Sequence, residues 1–157
     1  MSETTIQRTQ DERVAAALAH GSVLLSLLTG GLGGFIGATM VWLAQKDQSR
    51  YVAFQALQSI VFQTLFLVVS ILETGCYQCA IFLPLIPLLV DPKIARNVPL
   101  GVWTCGIFCP LPVLLLLDAV FVIYGLYGAW RTLGGADFRY AIIGRMIERR
   151  LEADTSK

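Results

Sequence analysis

The chain has 157 residues, 55% hydrophobic and 15% charged, with a mean hydropathy of +0.65. A soluble domain carries about 25% charge and less apolar surface, so this composition excludes an ordinary globular protein and points to an integral membrane protein. The net charge of +1 excludes a nucleic-acid binder that works by neutralising many phosphates.

Residues 1–13 are polar and of mixed charge. They form a soluble tail without the basic leader and short apolar core of a cleavable signal peptide. From Val14 to Ala44 the chain has no formal charge apart from what His20 can carry. As one straight helix this stretch would be about 46 Å long, beyond a hydrocarbon layer of about 30 Å. Gly30, Gly31, Gly33 and Gly34 at its centre predict a turn, so residues 14–45 read as a hairpin of two short helices. Gly30/Gly34 and Gly33/Gly37 fit the small-residue spacing of close helix packing. The alternative is one tilted span over Val23–Ala44. After an aqueous turn at 45–50, residues 51–72 suit a full crossing. Within it Gln55, Ser59 and Gln63 recur every four residues with Gln58 beside them, a polar face that should turn into the bundle.

Residues 73–109 hold Glu73, two cysteine pairs, and an apolar run from Ala80 to Val90 broken by Pro84 and Pro87, too short to span. They read as an extracytoplasmic loop with re-entrant or surface-lying pieces. Residues 110–130 form the last span, with Pro110 in its first turn and Tyr124, Tyr127 and Trp130 at its lower end. Residues 138–151 alternate apolar Tyr140, Ile142, Ile143, Met146, Ile147 and Leu151 with arginines, the pattern of a basic amphipathic helix on an anionic lipid surface. Residues 152–157 are a tail. With the hairpin, ten of the twelve basic residues fall on the side of the termini, leaving Lys93 and Arg96 opposite. The positive-inside rule then puts both termini in the cytoplasm of a multi-pass inner-membrane protein.

Several pieces together are similar to a known family. Leu18-Ala19-His20-Gly21, the glycine-broken run ending in Val41 to Ser49, the helix opening Val52 to Gln63, and Gly134 to Ile143 with Phe138 and Tyr140 resemble small bacterial membrane proteins. These are related to the twenty-kilodalton Tic subunit of the chloroplast protein-import translocon. The likeness covers Val14–Gln63 and Pro110–Ile147; it implies a compact helical membrane fold and permits a role in translocation. Ala141 stands where family members often have proline, and residues 73–109 have no counterpart.

Cys76, Cys79, Cys105 and Cys109 lie near one outer face in this topology. Structural disulfides, a tetrathiolate zinc site, redox-active pairs and buried unpaired thiols are all open to them. Asp118 lies within the last span, where an ionised carboxylate costs about 2.5–3.5 kcal/mol. His20, the single histidine, is a natural partner to test, with Gln55, Ser59 and Gln63 as further donors along a polar path. Neither a phosphate-cradling glycine loop nor a Ser-His-Asp set is present. The sequence therefore predicts an all-α polytopic membrane protein with a glycine-hinged hairpin, two longer spans and a C-terminal amphipathic helix. The role expected of it is a non-catalytic accessory, scaffold or translocation-related subunit without a cofactor, set among other integral membrane proteins. The alternatives are a thiol-disulfide oxidoreductase using the four cysteines and a proton or ion pathway centred on Asp118.

Overall fold

The computed structural model describes residues 8–83, 86, 90, 100–141 and 144. Every regular element among them is a helix: α1 (Gln10–Gly21), α2 (Val23–Thr29), α3 (Leu32–Gln45), α4 (Arg50–Phe82), α5 (Leu100–Phe108) and α6 (Leu111–Leu133). Most of the expected re-entrant stretch around Pro84 and Pro87, the basic residues Lys93 and Arg96, the tails 1–7 and 152–157, and residues 142–151 of the expected surface helix, Gly144 apart, lie outside the described residues.

Local chemistry sets the helix ends. Thr9 opens α1 with a capping box: the Glu12 backbone N–H donates to Thr9 Oγ1 at 3.3 Å, and the Thr9 N–H donates to Glu12 Oε2 at 3.0 Å. At Ser22 the first arm breaks into α1 and α2, and the Ser22 hydroxyl donates to the carbonyls of Ala19 and Gly34. The chain then reverses at Gly30 (φ +59°) and Gly31 (φ +95°), a left-handed pair that only glycine adopts cheaply. Helix α3 returns antiparallel against α2 and α1. Its contact positions are tight. A Cβ at Gly37 would come within 2.7 Å of Ser22 Cβ, one at Gly33 within 2.8 Å of the Leu25 carbonyl, and one at Gly34 would overlap Gln63 and Ser26.

Two compact units divide the chain. The first, residues 1–67 and 121–157, holds the hairpin, the first half of α4, the last half of α6 and the segment that follows. Its core gathers Val23, Phe62, Phe66, Val122, Phe138 and Tyr140, with a second cluster of Ala16, Tyr51 and Val52. Helix α6 approaches the hairpin through glycines, since a Cβ at Gly125 would meet Val23 at 2.9 Å. The second unit, residues 68–120, holds the rest of α4, all of α5 and the start of α6. In it the α5 backbone at Gly106 approaches the Ala80 carbonyl of α4.

Two differences from the sequence expectation stand out. Helix α4 continues ten residues past Leu72, so Cys76 and Cys79 lie on a helix, and residues 100–108 are also helical. Nothing between Leu72 and Phe82 is a proline, so the backbone ladder can propagate through Glu73 and Gly75. The amphipathic helix does not begin at Phe138: residues 136–140 are non-helical, and Phe138 (7% exposed) and Tyr140 (2%) point into the core. There Tyr140 stacks on Phe62 and Phe138 meets the His20 ring, contacts that a helix on a lipid surface would forgo.

Arg50–Phe82 and the run Thr104–Leu133 are each long and apolar enough to cross a membrane. In the second, only 6% of the most apolar window is buried within the protein. Of its apolar side chains, Val113, Leu115, Leu116, Val120 and Ile123 face outward, while Val122 turns into the core, an arrangement that lipid accommodates and water does not.

Candidate functional site

Unit 1 is organised around a buried polar seam rather than a purely apolar core. Its components are His20, Gln55, Gln58, Ser59 and Gln63, each 0% exposed, together with Ser22, Ser26 and Thr132. The four-residue spacing of Gln55, Ser59 and Gln63 places them on the inner face of α4, while His20 enters from the last turn of α1.

At one end of the seam four side chains form a relay. Gln55 Nε2 donates to Asp137 Oδ1 at 3.1 Å. An ionised carboxylate only accepts, so this contact fixes the Gln55 amide and leaves Oε1 facing His20 Nε2 at 3.0 Å. His20 must then carry its proton on Nε2, and its Nδ1 accepts from the Tyr140 hydroxyl at 3.0 Å. Every polar atom of the imidazole is satisfied with the ring neutral. Burial also pushes the Tyr140 phenol well above its ordinary value, with Tyr124 adding to the effect, so it stays a donor.

Beside the relay, Gln58 holds the segment after α6 as a neighbouring strand would. Its Nε2 donates to the Phe138 carbonyl at 3.3 Å, and its Oε1 accepts the Tyr140 N–H at 3.2 Å. Aromatic packing completes this clamp: Tyr140 stacks on Phe62 at 4.4 Å between centroids, and Phe138 meets the His20 ring edge-on at 5.5 Å.

At the other end, Gln63 ties α4 to the hairpin. Its Nε2 donates to Ser22 Oγ at 2.7 Å, and its Oε1 accepts from Ser26 Oγ at 3.1 Å. The Ser59 hydroxyl donates to the Ala19 carbonyl at 2.6 Å, where the kink at Ser22 leaves that carbonyl open to side chains. The donors and acceptors of the seam are thus engaged with one another and with the backbone. What it does is hold three chain segments in register.

Asp118 is not among the partners of His20. It lies in unit 2 with Glu73, within electrostatic reach of it, and each has a buried carboxylate oxygen without a hydrogen-bond partner among the described residues. Cys76, Cys79, Cys105 and Cys109 carry free, exposed thiols, and Cys105 and Cys109 bring their Sγ atoms to 2.9 Å. Among the described residues no three His, Cys, Asp or Glu side chains converge as metal ligands would. Sequence reasoning missed Asp137, Tyr140, Ser22 and Ser26 as parts of the seam. The serines had a signal, lying four apart in an apolar stretch; Asp137 and Tyr140, on non-helical backbone, had none.

An all-helical fold among the described residues, with two helices long and apolar enough to cross a membrane and a polar seam closed on itself, has the features of a small membrane-associated helical protein. A comparison with protein families then matches residues 11–147 to MamF/MmsF, the magnetosome magnetite crystal formation protein family, and the chain belongs to that family. Comparison with curated proteins and with solved structures found no match. The family match overturns the Tic-like resemblance and, with it, the translocation role that rested on it. The motifs carrying that resemblance were short and mostly apolar, and close helix packing imposes such glycine-broken runs on unrelated membrane proteins.

Proposed function

We propose that this chain is a multi-pass, non-catalytic subunit of the magnetosome membrane that contributes to magnetite crystal formation as an accessory or scaffold protein. The family match over residues 11–147 carries this reading. The outward apolar face of α6 supports residence in lipid, and the internally satisfied seam supports a structural rather than a reactive role for the buried polar groups. The ten-to-two distribution of basic residues favours cytoplasmic termini. Contacts in unit 1 agree with that topology: Arg8 lies over the Tyr51 ring at 4.1 Å, Glu12 accepts from the Ser49 hydroxyl, and the Tyr51 hydroxyl donates to the Ala136 carbonyl. Removing the gene from a magnetosome-forming cell is expected to change the size or shape of the crystals seen by electron microscopy, and restoring it to reverse the change. Crystals indifferent to its loss would overturn the reading.

The proximity of the Cys105 and Cys109 thiols favours a second reading, a thiol-disulfide exchange role. Alkylation followed by intact-mass measurement separates the two. One pair that labels only after mild reductant supports exchange, whereas a labelling pattern indifferent to mild reductant leaves the scaffold role.

A further inference from the structure

On the surface of unit 1, α1 and the end of α6 border an open groove of about 410 Å³ lined by Arg8, Gln10, Arg13, Val14 and Leu133. A second groove of about 360 Å³, lined by Trp130, Arg131, Leu133, Gly134 and Ala136, shares Leu133 with it. We propose that these adjoining grooves bind the phosphate headgroup of an anionic phospholipid, with Arg8 and Arg13 as the phosphate-binding groups and Arg131 at the rim.

The two arginines are held ready for such a ligand. The Arg8 guanidinium is seated over Tyr51. Arg13 is laid against Gly135, whose positive φ of +81° and missing Cβ make room for it: a Cβ there would stand 2.9 Å from Arg13 Nε. That Nε is buried and has no hydrogen-bond partner among the described residues. With Nε covered, the terminal nitrogens of the Arg13 guanidinium are the donors it can offer a phosphate. Of the carboxylates on the same elements, Glu12 is bonded to Thr9 and Ser49 and also feels the Arg8 charge, Asp137 is bonded to Gln55 and Arg139, and Asp11 is exposed on the first turn of α1. The apolar part of a lipid has a matching surface in Val14 (40% exposed), Leu18 (61%), Trp130 (68%) and Leu133 (52%). The site also lies at the C-terminal end of a span-length helix and is lined by Trp130, a residue type enriched at membrane interfaces. This position favours a lipid over a free anion.

The proposal rests on the membrane reading, which extraction of membranes tests separately. The experiment uses the full chain purified in neutral detergent and titrated with mixed micelles containing phosphatidylglycerol, phosphatidylcholine, or neither but with inorganic phosphate. Phosphatidylglycerol is expected to raise the Tm, and the other two are not. In the Arg8→Gln/Arg13→Gln double variant the apparent affinity for phosphatidylglycerol should fall about tenfold or more, the factor expected from losing charge-assisted hydrogen bonds. Arg50→Gln, which removes an exposed charge outside the grooves, should leave it unchanged. An equal response to phosphatidylcholine overturns the charge-specific site, and an equal response to inorganic phosphate overturns the lipid assignment. Should the double variant fail to fold, hydrogen exchange of the wild-type protein decides: phosphatidylglycerol should protect residues 8–14 and 130–136. Protection confined to the arginine-rich stretch after Phe138 overturns the proposal.

Discussion

Tyr140 carries more of the fold than its place near the chain end implies. Its hydroxyl supplies the proton that His20 Nδ1 accepts, its ring stacks on Phe62, and its backbone N–H is held by Gln58. Tyr140→Phe keeps the ring and removes only the hydroxyl, leaving a buried imidazole nitrogen unpaired. The expected cost is about 1–3 kcal/mol, read as a lower unfolding temperature in detergent. Gln58→Leu should be at least as damaging, because it strands both the Phe138 carbonyl and the Tyr140 N–H. A Tyr140→Phe protein as stable as wild type would show that the relay is not formed. At the surface, Glu12 is a pH-sensitive point. The Ser49 hydroxyl, then the Thr9 backbone N–H, hold its carboxyl below its ordinary value of 4.5. A depressed carboxyl stabilises the fold above that ordinary value and loses the contribution as pH falls through the folded one. Below about pH 4.5, Tm should therefore drop more for wild type than for Glu12→Gln, a difference that a pH series of melts resolves.

At the scale of elements, the hairpin and α4 meet with no room for a methyl group at Gly34, where Gln63 and Ser26 converge. Two effects oppose each other there. Alanine improves helix propensity by up to about 1 kcal/mol, while overpacking costs about 1–3 kcal/mol or more. Gly34→Ala should therefore destabilise on balance. Gly75→Ala, at a helical position with open space around it, should be neutral or stabilising by up to about 1 kcal/mol, and paired thermal melts compare the two. The polar face of α4 was legible in the sequence because helical periodicity places Gln55, Ser59 and Gln63 in one line. The clamp that faces it was not, since residues 136–140 are non-helical and carry no periodic signal. The end of α4 was not legible either, for a glutamate and a glycine weaken a helix without stopping it. Small positions on α6 did leave a trace: Gly125 and Ala129 are four apart, and Gly125 packs on Val23.

For the whole molecule, composition was the most informative property of the sequence. It pointed to a membrane protein, and the all-helical structure with an outward-facing apolar α6 agrees with that class. Function was less legible, because the glycine and apolar motifs that carry resemblance here arise from packing physics common to many membrane families. Only comparison along most of the chain identified MamF/MmsF. The proposed function makes the chain a small helical subunit embedded in the magnetosome membrane. Alkaline extraction of purified magnetosomes, followed by mass spectrometry of pellet and wash, tests that description most directly. The chain should remain in the membrane pellet of the magnetosome fraction; its release into the wash, or its recovery only from other membranes, would contradict it.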